Sequence, residues 1–194
     1  HDLGVPHLSI NPERVWIKNN NKVYLLPFGV HYEESVDTYA MWYSAPEYLF
    51  NSPEFYFNFE CDIWSIGCIF YDLFIGNPPL FASMDPHGKL IKLFELIGFP
   101  ELEKVPYMNE NAHLQLYDNT YMNECKIGNI PQIYELLQNI HPPIASILLN
   151  MLHFNPFDRP NIQELWDNDY LGDYDINDEP SEIGKVTSEN MDQS

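Results

Sequence analysis

Three sets of side chains in this sequence could do chemistry: its cysteines, its histidines and one run of carboxylates. Cys61, Cys68 and Cys125 contain no CxxC pair and cannot all be bridged. Neither a zinc site nor a disulfide framework is therefore indicated, and a reduced intracellular compartment fits best. Cys61 and Cys68 lie seven residues apart, two helical turns, which favours small core residues over reactive thiols. His31, His87, His113, His141 and His153 show no ligand-like spacing and no neighbouring acid cluster, so no metal is expected at them. Between Asp167 and Glu182 stand seven acids (Asp167, Asp169, Asp173, Asp175, Asp178, Glu179, Glu182) and no Lys or Arg. Such a run attracts Lys- and Arg-rich partners without any catalysis. By composition alone, the plainer reading is a solvated acidic tail.

The chain that must position these groups has 194 residues, enough for one domain with a core and too few to need two. Its 45% hydrophobic and 15% aromatic content excludes wholesale disorder. A net charge of −20 repels phosphate backbones and anionic lipid, which argues against nucleic acid and membrane surfaces as partners. No apolar run approaches the ~18 residues that span a bilayer. Asp2 and His7 interrupt any signal peptide. The first residue is His1, which points to a chain cut from something longer.

Hydrophobic period then orders the chain. Val15-Trp16-Ile17 and Val23 to Leu26, joined by an Asn-rich turn, predict a hairpin. Residues 31 to 44 lack a period and read as a loop, and Pro46 opens a short helix over Glu47 to Phe50. Residues 61 to 75 are apolar on nearly every face, from Ile63 to Phe74, which predicts a central buried helix stopped by Gly76. Further helices are expected over 89–97, 133–137, 144–152 and 162–166, whereas 101–130 reads as a polar insert. The aromatic run Phe50, Phe55, Tyr56, Phe57 and Phe59 suits core packing rather than a ligand cage. The fold class is mainly α, with one small β element at the front.

Three motifs in order carry a resemblance: Ser44-Ala45-Pro46-Glu47, Asp62-Ile63-Trp64-Ser65-Ile66-Gly67-Cys68 and Asp158-Arg159-Pro160. Together they resemble the C-terminal lobe of a eukaryotic protein kinase. Trp42-Tyr43, Pro79-Leu80-Phe81, Tyr170-Leu171 and the stretch Tyr174 to Pro180 sharpen the likeness to the mitogen-activated protein kinases. The resemblance implies a partial kinase domain over 1–182 starting just before the catalytic loop, a disordered tail over 183–194, and no N-terminal lobe. It implies a Glu47–Arg159 ion pair that ties the activation segment to the helical base. It also implies that Asp62 accepts backbone N–H bonds from the catalytic loop, where the helix dipole favours a carboxylate as well.

The polar residues of phosphoryl transfer depart from that family's pattern. Aligned on it, Ser9 stands where the catalytic base would be, and a hydroxyl is no base near pH 7. Asn11 replaces a Lys, Arg14 replaces a metal-binding Asn, and Pro27-Phe28-Gly29 replaces Asp-Phe-Gly. Leu8, Met41 and Ser44 replace Arg residues that read a phosphorylated loop or frame the substrate pocket. The Thr-x-Tyr switch is missing, although Ser35, Thr38 and Tyr39 remain modifiable.

These departures lead to the expectation of a chain that is not an enzyme: a pseudokinase or kinase-domain fragment, cytoplasmic or nuclear, with no ATP or magnesium. Its expected work is docking. By the resemblance, Asp175, Asp178 and Glu179 would bind basic peptides of pathway kinases or substrates. Two alternatives stand beside it. One is an ATP-dependent protein Ser/Thr kinase of the mitogen-activated type, with a relocated base such as Glu13, Glu33 or Glu34. The other is a truncated product without function.

Overall fold

A computed structural model describes residues 4–19, 22–26, 38–49, 58–76, 78–98 and 132–171, with 38 and 39 through their backbone alone. At the front, a 3-10 turn over Pro12–Arg14 leads into the hairpin of β1 (Val15–Ile17) and β2 (Val23–Leu25). The strands are antiparallel, with Val15 opposite Leu25, Trp16 opposite Tyr24 and Ile17 opposite Val23. Asn11 starts the turn because its side chain accepts from the Glu13 N–H while Pro12 supplies a preset φ.

The helices are α1 (Thr38–Tyr43), α2 (Pro46–Leu49), α3 (Glu60–Ile75), α4 (Pro86–Ile97), α5 (Ile133–Leu137), α6 (Pro142–Met151) and α7 (Ile162–Trp166). A second 3-10 turn spans Pro156–Asp158. Local chemistry accounts for several ends. Asp85 caps α4 by accepting from the Gly88 N–H at 2.8 Å, followed by Pro86 at the first position. Asn161 and Glu164 form a reciprocal capping box on α7.

The core gathers on α3. Trp64, Cys68 and Tyr71 pack with Tyr43 and Ala45, with Leu90, Leu93 and Phe94 of α4, and with Leu148, Leu152 and Phe154 at the end of α6. Ile63 turns the other way, to Ile147, Met151 and Leu165. At Gly67 α3 packs tightly on α6: a Cβ there would lie 3.0 Å from the Cβ of Met151 and 3.1 Å from Leu152 Cδ2.

Two expectations need correction. Thr38–Tyr43 is a helix, not part of a loop. Its aromatic sequence has no helical period, and beside the local Ser44 donors to Met41 its last carbonyls accept from Ser65 and Lys89, distant in sequence. In addition, α3 is not buried throughout, because Leu73 is 72% and Phe74 50% exposed beyond the last core contact at Tyr71. Smaller shifts are at helix ends: α3 starts at Glu60, α4 at Pro86 and α6 at Pro142. The insert over 101–130, Pro27 and the acids Asp175, Asp178 and Glu179 lie outside the described residues, as do Phe50, Phe55, Tyr56 and Phe57 and the tail over 183–194.

Candidate functional site

The site is built on the first turn of α3. Asp62 is fully buried there, and its two oxygens divide between two backbone donors: the His7 N–H reaches Oδ2 at 2.6 Å and the Leu8 N–H reaches Oδ1 at 2.7 Å. Burial pushes the Asp62 carboxyl above its ordinary value, and the His7 and Leu8 donors oppose that shift. The grip holds Leu8 at φ 61°, a left-handed conformation that a leucine adopts only when its surroundings impose it. His7 fastens the same loop to the hairpin, with Nε2 2.8 Å from the Leu26 carbonyl oxygen, and its Nδ1 accepts from the Ser9 N–H at 3.3 Å. One carboxylate thus sets the course of the loop that carries Ser9, Asn11 and Arg14.

A second frame lies deeper. Glu47, from α2, and Arg159, after the second 3-10 turn, meet in two parallel bonds, Nη1 to Oε1 at 2.7 Å and Nη2 to Oε2 at 2.8 Å, with both side chains fully buried. The guanidinium gives its remaining donors to carbonyls: Nε to His153 at 2.8 Å, Nη1 to Glu60 at 2.9 Å and Nη2 to Phe154 at 3.1 Å. Its plane also lies over Trp64, 5.0 Å from the ring centroid, and Trp64 in turn stacks on Phe81. Five donations from one planar fork are what a lysine could not supply. Cys61 donates its thiol to Glu47 at 3.2 Å, and burial pushes that thiol far above its ordinary range, so it is inert. Both Cys61 and Cys68 are core residues.

The positions singled out for departing from the pattern are placed as follows. Ser9 is half-buried beside His7, and Asn11 is buried, with Oδ1 taken by the Glu13 N–H at 3.0 Å. Arg14 ends the 3-10 turn. This donor set does not fit a magnesium ion, since Arg14 offers no acceptor and the Asn11 oxygen is already engaged. Glu13 is exposed. Thr38 and Tyr39 open α1, and Ser35 lies outside the described residues. Of the acidic run, Asp167 ends α7, and Asp169 lines a 260 Å³ cavity with Asn168, Tyr170, Ser146 and Asn150.

Sequence reasoning missed two contributors. Tyr43 donates its hydroxyl to Asp72 Oδ2 at 2.6 Å, joining α1 to α3. Lys89 is fully buried, with Nζ donating to the carbonyls of Met41 and Ser44. A signal for Lys89 did exist: it shares a helical face with Leu90, Leu93 and Phe94, so a charge sits on the apolar stripe.

Comparison with known proteins agrees with this geometry. The family profile of the protein kinase domain matches residues 1–171. The chain is 30% identical over 187 residues to mitogen-activated protein kinase 6 of Arabidopsis thaliana and to mitogen-activated protein kinase 1 of Oryza sativa subsp. japonica. Each alignment covers 93% of this chain and 45% of the relative, so the chain spans less than half the length of these relatives. Two solved structures of the Leishmania major MAP kinase LmaMPK10 superpose with TM-scores of 0.73 and 0.69 at 23% identity, covering 90% and 89% of this chain and 53% and 46% of theirs. These matches overturn the expectation that the chain is not an enzyme. That expectation rests on the substitutions at Leu8, Ser9, Asn11, Arg14, Pro27, Met41 and Ser44, on the missing Thr-x-Tyr switch and on the N-terminal lobe taken as absent, whereas the kinase match runs over residues 1–171 and the matched relatives are named as kinases.

Proposed function

Because the chain belongs to the protein kinase domain family, we propose that it serves as the C-terminal lobe of a mitogen-activated-type kinase, the half that engages protein partners for ATP-dependent phosphate transfer to protein hydroxyls. The observation that carries this reading is the Asp62 grip on His7 and Leu8. A buried carboxylate that forces a leucine to positive φ gives the catalytic-loop segment one course, and phosphoryl transfer relies mostly on such positioning and on charge. The transition state is loose, so the substitutions at Ser9 and Arg14 take away contributions of base and metal holding and leave the positioning in place.

The finer part of the proposal is docking. The acids from Asp167 to Glu182, with Asp175, Asp178 and Glu179 at their centre, favour peptides rich in Lys and Arg, such as those of substrates or pathway kinases. The hairpin supports the picture of a lobe within a longer protein, because Trp16, Ile17, Val23, Tyr24 and Leu25 are all exposed. Two measurements test the two parts. Transfer of labelled phosphate from ATP to a protein substrate by the full-length protein is expected, and its absence would sink the kinase reading. Calorimetric titration of the chain with a basic, Leu-containing peptide is expected to show binding that an Asp175→Asn, Asp178→Asn variant weakens about tenfold or more. Equal binding by that variant would sink the docking reading.

A further inference from the structure

Lys89 has no part in either frame of the site, yet it is fully buried in the core. It is 0% exposed, and a polar nitrogen in that position, charged or neutral, must be met by close acceptors. Three acceptors surround it: the Met41 carbonyl, the Ser44 carbonyl at 2.5 Å and the Ser44 hydroxyl at 3.0 Å. The two carbonyls flank the end of α1, where the last C=O groups of a helix need partners from outside its ladder; Met41 also accepts from the Ser44 hydroxyl at 2.8 Å and the Ser44 N–H at 3.2 Å. The same strip is tied on both sides, by Trp42 Nε1 to the Ser83 carbonyl at 2.7 Å and by Ser65 Oγ to the Tyr43 carbonyl at 2.9 Å.

The other charged groups packed here are already engaged. On α2, Glu47 attracts Lys89 but is held by Arg159. On α3, the Cys68 thiol is pushed by burial up to about 12 and stays neutral, and Asp72 accepts from Tyr43. On its own helix, Asp85 is occupied as the cap.

We propose that Lys89 is the positioning residue of the segment 41–47: its buried side-chain nitrogen closes α1 from a different helix and sets the turn into α2, so the wall that ends at Glu47 is seated by α4. The proposal rests on the protein-binding reading only for its consequence, the presentation of this wall to a protein partner. Sequence offers no such seat, because Met41 to Ser44 holds neither a capping glycine nor a local cation.

Backbone amide exchange on the 194-residue chain, without peptide or nucleotide, tests this independently of docking and of phosphate transfer. The amides to follow are those of Ser44 and Tyr48, which donate to Met41 and Ala45, against reference amides in α6. In a folded Lys89→Met variant, protection at 44 and 48 is expected to fall about tenfold or more while α6 changes less than about twofold. An equal fall in α6, or no fall at 44 and 48, would overturn the proposal. Should the variant fail to fold, the wild-type pH profile decides. Burial lowers the Lys89 amine to about 7, and opening the segment restores its ordinary affinity for protons. Protection at 44 and 48 relative to α6 should therefore rise with pH from about 7 to 9. A flat ratio overturns the proposal.

Discussion

A buried ion pair is weak evidence for stability when it stands alone, since the cost of removing two charges from water rivals their attraction. Glu47 and Arg159 differ from the lone case because the guanidinium also satisfies the carbonyls of His153, Glu60 and Phe154. Removing one partner leaves the other charge uncompensated and orphans those carbonyls. Arg159→Met should thus lower stability by roughly 3–5 kcal/mol in urea unfolding, with Glu47→Gln retaining part of the hydrogen bonding and losing less. Asp62→Asn keeps one acceptor for two donors, so it should lose about 1–3 kcal/mol and loosen the loop at Leu8, visible as faster exchange of the His7 and Leu8 amides. Lys89 sets a pH dependence. Its affinity for protons is lowered in the folded chain to about 7 from 10.5, so the unfolded chain binds more protons between those values. Stability then rises with pH across that window and is lost as pH falls toward 7, at up to about 1.4 kcal/mol per pH unit. The difference between wild type and Lys89→Met, measured by unfolding at pH 7, 8 and 9, should grow accordingly.

At the scale of elements, α3 is the axis on which the others are hung, and its contact with α6 is limited by Gly67. The neighbours of a new Cβ would be Met151 Cβ, fixed to the α6 backbone, and Leu152, so relief requires moving a helix and not a side-chain tip. Gly67→Ala gains about 1 kcal/mol of helix propensity and meets overpacking of roughly 1–3 kcal/mol. The net expectation is a lower melting temperature, read by calorimetry. A rise would mean that the two helices separate at little cost. The short α1 shows the opposite dependence: at six residues it is far below the length of a self-sufficient helix, and it persists because Lys89 and Ser65 meet its last carbonyls.

For the molecule as a whole, charge and covering decide what it can meet. A net charge of −20 with an acidic end makes any complex with a basic peptide sensitive to screening, because the Debye length shrinks from about 10 Å at 0.1 M salt to about 3 Å at 1 M. Binding of the Lys- and Arg-rich peptide should therefore weaken at least about tenfold between 0.05 and 0.5 M NaCl, through a slower association rate. Salt-independent binding would place the contact on apolar surface instead, where the hairpin's Trp16 and Tyr24 or the Leu73 and Phe74 end of α3 are available.

Legible in the sequence were local features, the hairpin from its Asn-rich turn and the long helix from its apolar run, while the roles of Glu47, Asp62 and Arg159 were implied by the family resemblance. The hairpin and the helix follow from interactions within a few residues, which turn composition and hydrophobic period report. Packing decided the rest: that 38–43 is helical, that α3 leaves the core after Tyr71, that Arg159 adds three carbonyls, that of distant Glu60 among them, to its pair with Glu47, and that Lys89 reaches the Met41 and Ser44 carbonyls. The physical reason is common to all four. Each depends on whether a group meets a partner far along the chain, and burial or satisfaction of that kind is a property of packing with no signature in the neighbouring residues. The substitutions at Ser9, Asn11, Arg14 and Pro27 were legible as residue types, and the resemblance implied the Asp62 and Glu47–Arg159 contacts, but the left-handed course that the Asp62 grip imposes on Leu8 emerged only once distant segments were brought together.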